Sequence, residues 1–576
     1  MTRLGRRPPK QRNFGAFDLL SVILAALFVF FLAYPLIEMF RRTLFSDGAV
    51  HWDKVVAAIA DPVLLSTLGQ TAAIVSVSGL AAVFIAIVFA WLNERTDASM
   101  GWISRVLPLV PLLLPPIALS TGWFFLAHRR AGSINIVIRT IAAQLGIKEW
   151  ANGGPLDIVT WQGLVFVYAL YLVPFAYLLV AAAFRNLDPS LEEASRASGA
   201  GTWRTFRRIS LPAILPGIAA SGLLVAISGL SSFSIPATIG TAARIDIISV
   251  RIVNLVRDSY PPRFEEAVII SLFVVMVVGG LWLLQRRISA RQRYSTIGGK
   301  GMRSSPIRLG VWRWPARFLM IAYLLATSVL PMLALAFVGM QKFWSPKVIW
   351  SQLSLDRFIG LFSDGSMMNR ALVNSIGLGV VGATLGMLLA SVLMLYVRQR
   401  RGIFPRIADG ATKAPGAISH IVIGVALVIA LSGAPFNLGG TVWLLLLAYI
   451  IVYMPQAAIA AGSGIDQIGG ELLEASAVTG ATKGRTFRRI MLPLLRPSLA
   501  AGWALLFVVM VGDLTVSALL ASGSNPVVGF VIYDIWSNAT YSDLAALATV
   551  IGLISFTVVS MVLILARPRF IGITAQ

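Results

Sequence analysis

The sequence predicts an all-α integral membrane protein of about twelve transmembrane helices in two parallel six-helix repeats. Three observations predict it. Of the 576 residues, 57% are hydrophobic and only 13% charged, whereas a soluble domain is about a quarter charged. Apolar runs of roughly 20 residues, the length that crosses a bilayer, recur along the whole chain. One loop occurs twice, at residues 193–212 and 474–493.

The apolar runs place spans near 17–39, 71–92, 103–127, 161–184, 213–233 and 266–285, and again near 316–340, 372–396, 411–432, 441–463, 498–520 and 544–566. Pro115, Pro116, Pro174 and Pro236 lie in or just after spans and predict kinked or broken helices lining a protein interior. Trp91, Trp161, Trp282 and Trp443 sit near span ends, as interfacial aromatics do.

Lys and Arg total 48 against 25 acids, a formal charge of +23. In a soluble protein that surplus would suggest nucleic acid; here it sits mainly between spans and orients the chain. Arg3, Arg6, Arg7, Lys10 and Arg12 open the chain, and nine Lys or Arg with no acid occupy 286–317. Arg398, Arg400, Arg401 and Arg406 follow the eighth span, and Arg567 and Arg569 the twelfth. With twelve spans all fall on one side, which predicts an inner (plasma) membrane protein with both termini cytoplasmic. No small-residue cleavage pattern follows the first span, which reads as a retained anchor. The predicted organisation is a basic tail at 1–16, a first repeat at 17–285, a Gly-containing basic linker at 286–315 and a second repeat at 316–576. The absence of cysteine excludes disulfides and thiol chemistry, and His51, His128 and His420 have no ligand spacing, so no metal site is predicted.

The two loops, EASRASGAGTWRTFRRISLP and EASAVTGATKGRTFRRIMLP, are identical at 13 of 20 positions at an offset of 281. Gln70-Thr71 and Asn374-Ser375 match more weakly at an offset of 304, which assigns extra residues in the first half to 129–160. Same-direction repeats are related by an axis along the membrane normal. In each loop the Glu-Ala-Ser starts a short helix, Gly199 permits a sharp turn, and a second short helix runs to Leu211-Pro212, which should stop it. Phe206 and Phe487 are apolar knobs, Glu193 and Glu474 charged acceptors, and Arg207, Arg208, Arg488 and Arg489 face headgroups or a partner. Two copies of one docking element suggest a two-fold partner.

The pattern Glu-Ala-small, three residues, Gly, then Phe, Ile and Leu-Pro resembles the signature loop of permease subunits in bacterial ATP-binding-cassette importers. Ser195 and Ser476 depart from the usual Ala but stay small. The resemblance covers nearly the whole chain and implies the type I importer permease fold, as two permeases fused. It implies that the loops are coupling helices seated on two ATPase subunits, with Glu193, Ala194, Gly199, Phe206 and Arg208 matched by Glu474, Ala475, Gly480, Phe487 and Arg489. It implies a periplasmic solute-binding protein as a further partner, surrounding membrane lipid, and no nucleic acid. No GxxxxGK[ST] loop occurs, Gly298-Gly299-Lys300-Gly301 failing at its last position, so ATP is expected to be used by the partner, with no cofactor or catalytic residue on this chain.

Fused permeases of this length resemble the ferric-iron group, whose relatives carry thiamine, aminoethylphosphonate or polyamines. The stretches 233–240 and 512–520 resemble paired segments of the iron branch, in which both positions corresponding to Ser232 and Asp513 are acidic; Ser232 departs from that. Asp513 has two readings: a translocation-path acid that attracts a cation, or a buried acid satisfied by hydroxyls and backbone. His420 could face the path, though a packing histidine is the simpler reading. An ion-coupled secondary transporter would leave the repeated loop unexplained, and a membrane-embedded enzyme would need a cluster of reactive groups that is not seen.

Overall fold

A computed structural model describes residues 16–46, 49–50, 56, 60–147, 150, 152–292, 306–400, 402–467, 475–476, 478–479 and 483–565. Residues 1–15 of the predicted tail and 293–305 of the predicted linker lie outside the described residues.

Among the described residues, the helices long and apolar enough to cross a membrane number ten, or twelve if each of two bent helix pairs is one span. The first half contains α1 (Ala16–Leu44), α2 (Pro62–Arg95), α3 (Pro116–Ala127), α4 (Trp161–Asn186), α5 (Leu211–Ser231) and α6 (Phe264–Gln292). The second contains α7 (Leu330–Gly339), α8 (Met367–Gln399), α9 (His420–Leu431), α10 (Val442–Gln467), α11 (Leu492–Val511) and α12 (Tyr541–Leu565). α7 is the end of an apolar stretch from Gly310. Side chains such as Leu80 and Phe84 stand 73% and 69% exposed on these helices, the surface lipid covers.

The spans expected at 103–127 and 411–432 are not straight. Trp102–Leu113 meets α3 at 89°, and Ile403–Ala417 meets α9 at 108°. Two consecutive extended residues make each corner, Leu114-Pro115 and Ile418-Ser419; in the first, Pro115 and Pro116 force the residue before each out of the helical region. The span expected at 498–520 also breaks: α11 ends at Val511 and Thr515–Leu520 is a separate short helix.

Leu211-Pro212 does not stop its helix. Thr202–Ser231 runs through, with a wide π-turn at Phe206–Ser210. The same turn, Phe487–Met491, precedes Pro493, and another, Leu325–Val329, precedes Pro331. A proline ring collides with the carbonyl four residues back; widening the preceding turn removes the collision without ending the helix.

The halves embrace. α1 packs on α9 of the other half, and α7 packs on α3. Arg400 pairs with the buried Asp18 at 2.9 Å. The Trp123 indole N–H donates to the Ala326 carbonyl at 2.9 Å, and a Cβ on Gly122 would lie 2.5 Å from Pro331.

Individual bonds repeat as well. Thr71 Oγ1 accepts from the Ile248 N–H at 3.0 Å, and Ser375 Oγ from the Val528 N–H at 2.7 Å. Glu94–Arg185 at 3.2 Å is answered by Arg398–Asp466 at 2.7 Å, the same positions with the charges exchanged. The extra segment of the first half, between α3 and α4, folds as a helix, Ser133–Gln144. Asn135 pins it by donating to the His128 and Leu156 carbonyls and accepting from the Leu156 N–H.

Candidate functional site

The repeated loop is a helix–turn–helix rooted at the end of α4. Asp188 accepts from the Ser190 N–H at 2.9 Å and caps the short helix Pro189–Ala197. Those Ser190 hydrogen bonds hold the Asp188 carboxyl below the ordinary carboxylate range. The helix ends at Gly199, whose φ of +82° is a left-handed conformation that a side chain would strain. The Ala200 N–H then donates back to the Ser195 carbonyl at 3.1 Å.

A hydroxyl pair closes the two arms, Ser195 Oγ to Thr205 Oγ1 at 3.0 Å. The second copy repeats it, Ser476 Oγ to Thr486 Oγ1 at 2.7 Å. The departure from Ala is therefore half of a hydrogen bond. The available signal was a Thr ten residues after the Ser in both copies.

Of the residues expected in this element, Glu193 is half-buried, while Ala194, Gly199, Arg208, Ala475 and Arg489 are exposed. Phe206 is half-buried, its ring 5.6 Å from both Trp91 and Trp203. Phe487 lies 5.8 Å from Phe17 of α1. Glu474 and Gly480 lie outside the described residues. Leu191 and Trp203 are 51% and 70% exposed beside exposed arginines 204, 207 and 208. That surface combines apolar knobs with positive charge and suits a protein partner.

The buried acid of the loop is Glu192, not Glu193. It is 3% exposed and lies 2.9 Å from Arg95 of α2. Sequence reasoning missed it because the motif directs attention to the next residue and its partner is in another helix.

Asp513, 5% exposed, accepts from the Tyr453 hydroxyl at 2.7 Å and from the Val516 and Ser517 N–H groups at 2.9 and 3.0 Å. It thereby holds the start of the short helix after the α11 break. The His420 ring is 5.5 Å from Tyr453, so these two join one cluster. Ser232 is buried at the end of α5 in the other half. Among the described residues, no group of three or more His, Asp or Glu could hold a metal ion.

On the side opposite the loops, the halves are bridged. Arg257 lies 4.7 Å from the Phe530 ring and 4.8 Å from the Tyr533 ring, and donates to the Ala518 carbonyl at 3.3 Å. The Tyr533 hydroxyl donates to Asp258 at 3.2 Å.

The family described as binding-protein-dependent transport system inner membrane component matches residues 9–294 and 382–569. The chain is 23% identical over 499 residues to a ferric transport system permease protein, FbpB, of Actinobacillus pleuropneumoniae, covering 85% of this chain and 69% of that one. It is 24% identical over 535 residues to a probable ABC transporter permease, y4fN, of Sinorhizobium fredii, covering 89% of each. It is 25% identical over 220 residues to the spermidine/putrescine permease PotC of Escherichia coli (strain K12), covering 38% of this chain and 83% of PotC.

Proposed function

The chain belongs to the family of binding-protein-dependent transport system inner membrane components, and from that premise we propose that it is a two-halved permease of an ATP-driven ferric-iron importer. The observation that carries the reading is the docking loop built twice, closed in each copy by the same Ser–Thr bond. One ATPase subunit sits on each loop, with Glu193, Ala194, Phe206 and Arg208 of the first copy and Glu474, Ala475, Phe487 and Arg489 of the second at the contact; Gly199 and Gly480 make the turns. The loop side is cytoplasmic, as are both termini, and the halves are 17–285 and 316–576 joined by 286–315. A solute-binding protein docks on the opposite side.

ATP is hydrolysed by the partners, and this chain supplies no catalytic residue and no cofactor. Closure of the ATPases draws the two loops together. The embracing helices turn the halves about each other, the Arg257 bridge parts, and a path opens towards the binding protein. Iron is supported by the names of the relatives that match both halves. A polyamine cargo is the second reading, supported by PotC, which matches 38% of the chain.

The test is uptake of radioactive ferric iron in cells lacking the gene, with and without the gene restored, alongside labelled spermidine. Expected are loss of iron uptake on deletion, its return with the wild-type gene, and a co-purifying ATPase. Iron uptake unaffected by deletion, with spermidine uptake lost, would move the cargo to the second reading. A purified chain with no ATPase in attendance would refute the importer itself.

A further inference from the structure

Arg95 stands at the last turn of α2, 6% exposed, with its Nε 2.9 Å from the Glu192 carboxylate. Its Nη2 donates to the Phe184 and Leu187 carbonyls at 2.8 and 2.9 Å, where α4 ends and carbonyls run short of helical donors. The Ser210 hydroxyl, at the root of α5, donates to the other Glu192 oxygen. One guanidinium thus joins α2, α4 and the docking helix. The backbone at the same place holds the chain emerging from the linker: the Ile307 N–H donates to the Arg95 carbonyl at 2.9 Å, and the Asp97 N–H to the Ile307 carbonyl at 3.1 Å.

The second half supplies an internal control. At the offset of 304 Arg95 becomes Gln399; at 281 Glu192 becomes Leu473 and Ser210 becomes Met491. All three members are replaced together, and no replacement is ionic. The neighbouring pair, by contrast, survives with its charges exchanged, Glu94–Arg185 to Arg398–Asp466. Removing one member of a buried ion pair strands the other, so concerted replacement marks the three as one unit.

The geometry assigns Arg95, Glu192 and Ser210 a positioning role found in the first half only: they make the first docking helix a rigid extension of α2 and α4. Force from a docked ATPase then enters the first half through a stiff arm, braced by three residues that the second half's sequence does not repeat. The transmission part of this assignment rests on the importer reading above.

The test transplants the second-half residues into the first, Arg95→Gln with Glu192→Leu and Ser210→Met, in full-length chain purified in nanodiscs. Amide exchange across 189–197 is expected to accelerate about ten-fold, the equivalent of one lost buried hydrogen bond. With the co-purifying ATPase still bound, ATP hydrolysed per ion transported is expected to rise about five-fold, the low end of site-to-site coupling. Glu192→Gln, which keeps an acceptor for Ser210, should show smaller changes of the same sign and carries the test if the triple variant does not assemble. Unchanged amide exchange overturns the strut. Accelerated exchange at an unchanged ATP-to-transport ratio overturns its role in transmission. If no ATPase accompanies wild-type chain, the importer reading fails, and the exchange measurement still decides the strut.

Discussion

Asp513 is where structure and transport make opposite predictions. Its Oδ1 accepts the Val516 and Ser517 N–H groups and its Oδ2 the Tyr453 hydroxyl, all buried. Gly529 packs so close that a Cβ there would lie 1.9 Å from the Asp513 carbonyl, so the segment has no room to rearrange. Asp513→Ala leaves three buried donors without an acceptor. Each costs about 1–3 kcal/mol, offset in part by no longer burying a carboxylate, so the loss is roughly 3–6 kcal/mol. Asp513→Asn keeps an oxygen for the two N–H groups, and the Tyr453 hydroxyl can turn to accept from the amide, so the cost falls to about 1 kcal/mol. Heating purified protein in nanodiscs and measuring the fraction that stays monodisperse reads this order directly. Alanine should lower the midpoint by roughly 5 °C or more and asparagine by much less. An alanine variant that melts like wild type but transports nothing would refute the reasoning, and would make the carboxylate a group the cargo meets.

Three further outcomes are expected. Ser195→Ala and Ser476→Ala each remove one arm-closing bond, worth about 1 kcal/mol; the double variant should retain less ATPase through a salt wash than either single, and equal retention would show that the bonds do not shape the docking surface. Gly122→Val drives a side chain into Pro331, 2.5 Å from the Cβ position, and should cost about 2 kcal/mol or more of thermal stability, while Gly222→Ala, which meets nothing within 4 Å, should be nearly silent in the same melt. His128 is held below its ordinary range chiefly by burial, and its Nδ1 accepts the Arg130 and Ala131 N–H groups at 3.3 Å. The unfolded chain therefore takes up the proton first, and stability should fall as pH drops below about 6.5, a slope that melting curves from pH 8 to 5 would show and His128→Gln should flatten.

What was legible in the sequence follows from the range of each interaction. Apolar runs report burial in lipid residue by residue, so the ten long membrane helices and the two bent pairs could be placed. The repeated loop was visible because thirteen identities at one offset need no structure to interpret. The corner at Leu114-Pro115 was announced by Pro115 and Pro116, whereas that at Ile418-Ser419 was not visible, because two extended residues leave the surrounding apolar run unchanged. The π-turns were missed for a related reason: proline was taken to end a helix, while the turn before Pro212 widens to admit it. Glu192 was hidden because its partner Arg95 is remote in sequence. Once the fold supplies the two offsets, however, each half serves as an aligned relative of the other, and the exchanged charges of Glu94–Arg185 and Arg398–Asp466 become readable as contact.

That comparison also separates the contacts that hold the halves together from those that can part. The embrace of α1 and α7 buries apolar surface along whole helices and includes Gly122 against Pro331. The bridge opposite the loops is of another kind: Arg257 on two rings, one bond to the Ala518 carbonyl and one from Tyr533 to Asp258. At offset 280 from Arg257 and Asp258 stand Ser537 and Asn538, so the bridge is not doubled by the repeat. A cation–π contact is worth about 0.5–2 kcal/mol and a net hydrogen bond about 1, which makes the bridge about 3–6 kcal/mol. Moving a two-state equilibrium from 1:99 to 99:1 takes about 5.5 kcal/mol. On the importer reading, the bridge is thus strong enough to keep the side facing the binding protein shut at rest, and weak enough for ATP binding at the loops to open it. Leu at position 257 should shift that balance and raise ATP hydrolysis in the absence of binding protein; hydrolysis at the wild-type resting rate in Arg257→Leu would mean that the embracing helices, not the bridge, keep that side closed.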